Sequence, residues 1–539
     1  MTAQPQRTAT IAALALGCAA VTAVCAVMLA STWMDDPYIF ARYAKNLLSG
    51  HDLVWNLGEP RVEGISSWLW LGVQCVGLLL GRDPVGFARV IGILCAAALT
   101  GSFAAVIVRL RGHPAAGAVA LVSVVGAPAI PYYASCGMDQ IAWALIAWLF
   151  LLWVARSGRV RPVHGLAAAA GILVRPEGFL LFVPLLVLAL RWPEGWAGTP
   201  SGAPAFPRRL RPILPGLGLF AALLIVRRLL FDAWLPNAAA SKHLGGSLVL
   251  RALDGAVYAA PSVATSLGIP AACGLVAWAA GRATRMDGAR ALAAASGAFC
   301  ASLAGFVIVA GGDDRGAFGD GRLLLAAIVP MSLVLAVSLG TLLAENGTRR
   351  AAAAALTVVL LLGRAGEAKT IVQQATGATN LSGARDLATA WSAAFRPAPM
   401  SPLSSYFLER TPAGESIAIP WAGLIPYQTG LPVIDLLGLN DRIIGSTPVH
   451  GRALPGQRYD PDEVFRRRPA VLCDNFKVRQ PIGELADLTD ESLRAVGASS
   501  DGQRRLLRDP RLAAGYVVDW EAPTAGTCFV RIDLAGPRP

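Results

Sequence analysis

The chain has 539 residues, of which 55% are hydrophobic and 15% are charged, and its formal net charge is +12. Such a low charge content over this length excludes a water-soluble globular protein, a disordered protein and a nucleic-acid-binding protein. The charges are unevenly distributed, because residues 1–363 carry 43 charged side chains and residues 364–539 carry 39. This difference predicts a membrane domain over residues 1–363 followed by a soluble domain over residues 364–539.

Eleven apolar runs near the length that crosses a bilayer predict a polytopic, mainly α-helical membrane bundle. They lie at residues 10–30, 86–108, 115–131, 138–155, 163–174, 178–190, 212–230, 263–280, 291–310, 323–343 and 351–363. A twelfth apolar stretch, residues 66–80, is interpreted as a helix along the membrane surface. A cleaved signal peptide at residues 8–30 is the alternative to the first span.

The loop charges predict the orientation of this bundle. With residues 66–80 at the surface, the loops on the N-terminal side hold 15 basic and 3 acidic residues, and the opposite side holds 12 and 13. Loops rich in Lys and Arg face the cytoplasm. The N-terminus is therefore expected in the cytoplasm and the C-terminal domain outside, as in a multi-pass protein of the cytoplasmic (inner) membrane.

Two adjacent carboxylates, Asp35 and Asp36, follow the first span on the outer side. Acidic residues at a membrane are costly to desolvate, so such a pair is a candidate general base with a partner that orients it or binds a cation. A solvated helix end is the alternative. The same loop continues with Arg42, Lys45 and Glu63.

Other outer loops also carry polar residues that are candidates for a site. These are Asp139, the turn Arg175-Pro176-Glu177-Gly178, Arg228, Asn237, Lys242, Asp313 and Arg322. Cations at a membrane face suit a lipid phosphate, and carboxylates suit hydroxyl activation and sugar hydroxyls. An ordinary turn at Arg175 and snorkelling of Arg228 to lipid headgroups are the alternatives. The pattern favours group transfer from a lipid-phosphate carrier at the outer face.

The ordered motifs add a resemblance to a known family. The stretch from Asp35 to Asn46, with Val54-Trp55-Asn56 and Val62-Glu63-Gly64, resembles the first outer loop of membrane glycosyltransferases of the GT-C superfamily. It is most similar to the terminal arabinofuranosyltransferases of actinobacterial cell walls and their relatives. Later motifs match that family in the same order: Arg175-Pro176-Glu177-Gly178, Leu235-Pro236-Asn237 with Lys242, Gly311-Gly312-Asp313 with Gly321-Arg322, and residues 433–441.

The resemblance implies a polyprenyl-phosphate-linked sugar as donor and an aspartate of the first outer loop as catalytic base. Asp35 is favoured over Asp36 for that role. The donor phosphate is assigned to the cations Arg175, Arg228, Lys242 and Arg322. Sugar or acceptor binding is assigned to Arg42, Lys45, Glu63, Asp139, Glu177, Asn237, Asp313, Trp421, Tyr427, Asp435, Asn440 and Asp441. The chain departs from the family pattern around Cys136 and Trp421, which leaves the donor sugar open.

The C-terminal region reads as a small α/β domain. Strand-like runs at residues 417–419, 433–436, 470–473, 516–520 and 529–532 alternate with helix-like runs such as residues 461–468. Trp421 and Tyr427 either line an acceptor groove or pack in the core. Cys473 and Cys528 are the only cysteines of this domain, and in an oxidising compartment they either pair or remain as buried thiols.

The sequence therefore predicts an enzyme, a glycosyltransferase with arabinofuranose among its candidate sugars. It would move the sugar from a polyprenyl phosphate to a cell-envelope or secreted acceptor. Its expected partners are membrane lipid, the lipid-linked sugar and an acceptor glycan, with no cofactor, no metal site and no nucleic acid; metal dependence and oligomeric state stay open. The alternatives are a transporter or flippase of a lipid-linked sugar, which would need inverted repeats, and a non-catalytic envelope assembly protein.

Overall fold

The computed structural model describes residues 3–29, 34–110, 112–192, 209–243, 247–262, 288–313, 321–343, 396–448, 458–479, 482–523 and 526–535. These residues form two compact units, each assembled from separate chain segments. The first unit comprises Met1–Trp33, Gly86–Leu224 and Ala252–Arg396. The second unit comprises Met34–Val85, Ile225–Arg251 and Pro397–Pro539. The predicted domain boundary at residue 363 lies outside the described residues.

Up to residue 343 the described chain is almost entirely helical. The α-helices are α1 Ala3–Leu29, α2 Pro37–Leu48, α3 Trp68–Leu79, α4 Pro84–Arg109, α5 Pro114–Val125, α6 Ala129–Ser135, α7 Gln140–Arg156, α8 Pro162–Ala170, α9 Phe182–Arg191, α10 Leu214–Phe231, α11 Asn237–His243, α12 Leu248–Ser262, α13 Gly288–Ala310 and α14 Leu325–Leu343. Short 3₁₀ segments lie at Gly171–Leu173, Pro176–Leu181 and Arg322–Leu324.

Within the described residues, six helices are long and apolar enough to cross a membrane. They are Thr8–Leu29, Pro84–Arg109, Pro114–Ser135, Leu214–Phe231, Gly288–Ala310 and Arg322–Leu343. The mainly helical membrane fold predicted from the sequence is thereby confirmed. The predicted spans at 263–280 and 351–363 lie outside the described residues, and the total of eleven stays a prediction. The runs at 163–174 and 178–190 each combine a short α-helix with a 3₁₀ segment.

In the first unit, α14 packs against α5, α7 and α13. Glycine allows another pair, α8 and α10, to approach closely. A Cβ atom on Gly216 would overlap the backbone of Gly165, so only a residue without a side chain fits at this crossing. Small residues at such crossings let helix backbones come into contact, which is the usual way that membrane helices associate.

The apolar stretch at residues 66–80 forms the helix α3, whose first turn is capped by Ser67. The Ser67 hydroxyl accepts a hydrogen bond from the Trp70 amide at 3.1 Å. Twelve residues of α-helix span about 18 Å, well below the roughly 30 Å of a bilayer core. The length of α3 therefore supports the interpretation that this segment does not cross the membrane, and its place at the membrane surface stays a prediction.

The second unit contains the sheet that the described residues form. Its strands are β1 Ile417–Ile419, β2 Val433–Asp435, β3 Val471–Asp474, β4 Tyr516–Asp519 and β5 Thr527–Arg531. The strand order is β2-β1-β3-β5-β4, with β1 parallel to β2 and β3, and β5 antiparallel to β3 and β4. Each predicted strand-like run falls on one of these strands, which confirms the α/β character of the C-terminal region.

Helices cover this sheet and complete its core. They are α15 Pro402–Arg410, α16 Leu424–Thr429, α17 Arg442–Ser446, α18 Pro461–Arg467, α19 Asp490–Ala495, α20 Asp501–Arg508 and α21 Pro510–Gly515, with a 3₁₀ segment at Ile482–Asp487. Most begin at a Ser, Thr or Asp whose side chain accepts a first-turn amide hydrogen bond, the usual helix start. The core beneath them includes Leu472, Phe476 and Phe529, all fully buried.

Candidate active site

The favoured base, Asp35, lies just before α2 and is held by the start of α16. Its carboxylate accepts hydrogen bonds from the amides of Gly423 at 2.9 Å and Leu424 at 2.8 Å. A Cβ atom on Gly423 would overlap the main-chain oxygen of Asp35, so glycine is required for this approach. Both carboxylate oxygens are thus fixed by backbone amides that cannot rotate away.

The pKa of Asp35 is raised to about 6, because burial and the neighbouring charge of Asp36 outweigh the lowering effect of the two amides. A general base works best when its pKa lies near the operating pH, because it is then deprotonated and still basic enough to take a proton. Asp35 meets that condition. Asp36 is the N-cap residue of α2.

Arg42 on α2, which the sequence assigned to sugar or acceptor binding, contacts protein groups instead. Its guanidinium donates to the carbonyl oxygens of Trp55 at 2.6 Å and Leu431 at 2.8 Å, and to Asn56 Oδ1 at 2.9 Å. Asn56 in turn exchanges two hydrogen bonds with the backbone of Val433 on β2. Burial lowers the pKa of Arg42 to about 10. These contacts tie α2 to the sheet and thereby position Asp35.

Aromatic and cationic side chains of α2 contact Tyr427. The rings of Tyr38 and Tyr427 are 5.7 Å apart, and Lys45 Nζ is 5.6 Å from the Tyr427 ring centre. Trp421, two residues before Gly423, is half-buried. Tyr427 and Trp421 therefore belong to the same chain segment that holds Asp35, which is compatible with the predicted acceptor role.

Glu63 contacts the residues at the start of α11. Its carboxylate accepts hydrogen bonds from Arg227 Nε at 2.8 Å and Trp68 Nε1 at 2.9 Å, and its main-chain oxygen accepts from the Asn237 amide at 2.8 Å. The Asn237 side chain donates to the carbonyl oxygens of Gly438 and Leu439. Glu63 and Asn237, both assigned to ligand binding from the sequence, thus fix the start of the helix that carries Lys242.

The C-terminal end of α11 is held by an arginine that the sequence did not single out. Arg458 donates from Nε to the carbonyl oxygen of Ser241 at 2.5 Å and from Nη1 to that of Thr447 at 2.7 Å. No local pattern around Arg458 indicates this role, because Ser241 lies 217 residues away in the chain. Lys242 therefore sits on a helix that is fastened at both ends.

Hydrogen bonds and an ion pair fix the acidic residues of the motif at residues 433–441. Asp435 is fully buried and accepts from the amides of Leu437 and Asn440 and from Asn440 Nδ2, and burial raises its pKa to about 6. Asp441 caps α17 and forms an ion pair with Arg467 at 2.7 Å. These contacts fix the motif, and the binding roles of Asp435, Asn440 and Asp441 stay predictions.

Two of the remaining predicted cations contact carboxylates. Arg228 is exposed and forms an ion pair with Asp232, which also pairs with Arg442 at 3.0 Å. In the first unit, Arg322 pairs with Asp313 at 2.7 Å.

The first unit also contains a buried charge cluster. Arg175 donates to Asp139 Oδ1 at 2.8 Å and to Glu177 Oε1 at 2.5 Å, and all three side chains are buried. Burial lowers the pKa of Arg175, but the two carboxylates raise it by more, so the net shift is upward. Arg175 is therefore firmly charged, and its charge is already balanced by two neighbours.

Cys473 on β3 and Cys528 on β5 form a disulfide. They occupy directly opposed positions in the antiparallel pair, which brings their side chains together on one face. Among the described residues, no group of three or more His, Cys, Asp and Glu side chains is arranged to hold a metal ion.

Comparisons with known proteins show what this chain resembles. A family described as a domain of unknown function (DUF8728) matches residues 393–520. The terminal beta-(1->2)-arabinofuranosyltransferase of Mycobacterium tuberculosis is 29% identical over 259 residues, which cover 42% of this chain and 38% of that relative. The matched region thus spans well under half of the relative's length. This match confirms the resemblance to terminal arabinofuranosyltransferases.

Two solved structures of ArnT from Cupriavidus metallidurans are also similar at 14% sequence identity. The apo structure gives a TM-score of 0.46, covering 93% of this chain and 94% of ArnT. The structure bound to undecaprenyl phosphate gives a TM-score of 0.44, covering 98% and 99%.

Proposed function

We propose that this chain is a membrane glycosyltransferase that moves a sugar from a polyprenyl phosphate to a hydroxyl group of a cell-envelope glycan. Arabinofuranose is the first donor sugar to test. The observation that carries the proposal is the carboxylate of Asp35, fixed by the amides of Gly423 and Leu424 and given a pKa of about 6. The similarity to a protein named as a terminal arabinofuranosyltransferase supports the sugar class.

The proposed reaction is a single displacement at the anomeric carbon. Asp35 takes the proton of the acceptor hydroxyl, and the hydroxyl oxygen bonds to the anomeric carbon. The bond between that carbon and the phosphate oxygen breaks, and its electron pair leaves with the polyprenyl phosphate. A cation beside the departing phosphate stabilises its charge.

Lys242 is the cation of the second unit that we assign to this phosphate. Its helix is fastened at the start by Asn237 and at the end by Arg458, so the lysine backbone is fixed before the donor binds. Such preorganisation lowers the entropy that a ligand must overcome on binding. The phosphate-binding roles of Arg175, Arg228 and Arg322 stay predictions.

The deciding experiment uses full-length protein purified in detergent, radiolabelled polyprenyl-phosphoryl arabinofuranose and an arabinofuranosyl disaccharide. The parental protein is expected to transfer the sugar, and Asp35→Asn is expected to lose about 10²–10⁴-fold in rate while binding the donor normally. Asp52→Asn is the matched control. Asp52 is an exposed residue of the same loop in a left-handed conformation that asparagine accepts well. If Asp35→Asn and Asp36→Asn both transfer at the parental rate, the mechanism is wrong.

We further propose the cytoplasmic membrane as the location, with the N-terminus inside and the C-terminal region outside. The charge bias of the loops supports this orientation. In a background without other free cysteines, a membrane-impermeant thiol reagent should label Leu408→Cys in intact cells. It should label Arg159→Cys only after permeabilisation. Both positions are exposed, so the opposite pattern would contradict the orientation.

A further inference from the structure

In the second unit, the segment that holds Asp35 lies at one edge of the sheet, and several other chain segments lie at the same edge. Strands β1, β2, β3 and β4 run in the same direction, so all four end at this edge. The segment after β1 contains Gly423. Farther along the same edge follow the segment after β3, the start of β5 and the segment after β4.

A groove of about 440 Å³ lies at the far end of this edge. Its lining includes Lys477 and Arg479 after β3, Thr527 at the start of β5, and Asp519 and Trp520 at the end of β4. Lys477 and Arg479 are exposed. The indole of Trp520 is 65% exposed.

Hydrogen bonds and a disulfide hold part of the backbone of this groove in place. The Thr527 hydroxyl donates to the Phe476 carbonyl oxygen at 2.9 Å and accepts from the Val478 amide at 3.1 Å. The disulfide between Cys473 and Cys528 joins the same two strands one residue away. Backbone that is already held in place adds little ordering cost when a ligand binds, which favours affinity.

The chemistry of the lining fits a carbohydrate. An exposed indole offers a flat apolar surface for the C–H face of a sugar ring, and it carries a polar N–H at its edge. Lys477 and Arg479 supply charged donors for sugar hydroxyls, whereas the Asp519 carboxylate already accepts hydrogen bonds from Tyr406 and from the Glu521 amide.

We propose that this groove binds the acceptor glycan at sugars remote from the reacting hydroxyl; the inference rests on the proposed glycosyltransferase function. From β1 to β4 there are three strand intervals of about 4.8 Å, or about 14 Å in total. That distance is within reach of a short oligosaccharide whose terminal hydroxyl lies at Asp35. The groove would thus make the enzyme prefer long acceptors.

Kinetics of the full-length protein with two acceptors test this role. Trp520→Ala is expected to raise KM for an arabinofuranosyl hexasaccharide roughly tenfold, because truncation of an aromatic anchor removes a large part of a local contact. The KM for a disaccharide and the kcat for both acceptors should stay unchanged. The double variant Lys477→Ala, Arg479→Ala should act in the same direction. Leu408→Ala, another exposed apolar residue of the second unit, is the control.

Equal effects of Trp520→Ala on both acceptors would overturn the proposal. Direct titration with the hexasaccharide tests the groove independently of the proposed transfer reaction. Binding by the parental protein, with roughly tenfold weaker binding by Trp520→Ala, supports the groove even if no transfer occurs. Equal binding by both proteins overturns it. The remaining outcome is that Trp520 contacts lipid. If brominated lipid in nanodiscs quenches tryptophan fluorescence in the parental protein and this quenching disappears in Trp520→Phe, the glycan assignment is also overturned.

Discussion

Replacement of Asp35 by asparagine distinguishes two roles of its carboxylate: accepting a proton and holding the start of α16. Asparagine has nearly the same shape, and its single carbonyl oxygen can still accept one hydrogen bond from Gly423 or Leu424. It has no charge at any pH, so it cannot act as a base. The substitution therefore removes the proposed chemistry while leaving most of the local packing in place.

The expected change in stability at neutral pH is small because two effects oppose each other. Burial raises the pKa of Asp35 from its ordinary 3.8 to about 6, and this difference corresponds to about 3 kcal/mol of destabilisation by the charged form at pH 7. Asparagine removes that destabilisation. Its amide NH₂ group, however, faces one of the two backbone amides, and the lost hydrogen bond costs about 1–3 kcal/mol.

The pH dependence has a definite sign. The folded parental protein holds the Asp35 proton more tightly than the unfolded chain does, so its free energy of unfolding rises as the pH falls from about 6 to about 4. The variant lacks this contribution. Asp435 titrates in the same range but is present in both proteins, so its contribution cancels in their difference. Acidification should therefore raise the Tm of the parental protein relative to the variant.

The assays are thermal unfolding in detergent and sugar transfer, each measured between about pH 4 and pH 8 for both proteins. Transfer by the parental protein should fall about tenfold per pH unit below pH 6, because the base becomes protonated. Parental turnover and an unchanged pH profile in Asp35→Asn would refute the role as base. A Tm difference that stays constant with pH would refute the raised pKa.

Other substitutions test the groups around the site. Gly423→Ala should lower both the Tm and the transfer rate, since the new methyl group would overlap the main-chain oxygen of Asp35; a variant with parental values would contradict this close approach. Arg458→Ala should weaken donor binding roughly tenfold, with kcat much less affected, because it frees one end of the helix that carries Lys242; donor titration would show no change if that helix needs no such support. Reduction of the disulfide that closes a 55-residue separation should lower the free energy of unfolding by about 4 kcal/mol, and an unchanged Tm in reductant would argue against it.

The sequence predicted those parts of the structure that depend on local patterns. The strand-like runs of Ile and Val in the C-terminal region became β1 to β5, because short apolar runs bounded by turns leave few other choices. The short apolar stretch at residues 66–80 became α3, too short to cross a bilayer.

The roles of individual polar residues were harder to predict, because they depend on distant partners. The resemblance assigns Arg42 to ligand binding, and nothing near it in the sequence shows that its guanidinium also bonds to Leu431, 389 residues away. Asn56 belongs to a motif of the first outer loop, and its hydrogen bonds to Val433 join that loop to the sheet. A sequence pattern records that a polar residue sits in an apolar context, but it does not tell whether a ligand or the protein's own backbone will satisfy it.

The hydrogen bonds between Asp35 and α16 also have a consequence for biosynthesis. The amides that hold this aspartate lie 388 residues later in the chain, so they are made after it. At about 5–20 residues per second, a ribosome needs roughly 20–80 s to bridge that interval. In a nascent chain already inserted in the membrane, Asp35 and Asp36 are therefore present before the amides of Gly423 and Leu424. Translation products that end before Gly423 should be catalytically silent, because they lack both amides that hold Asp35.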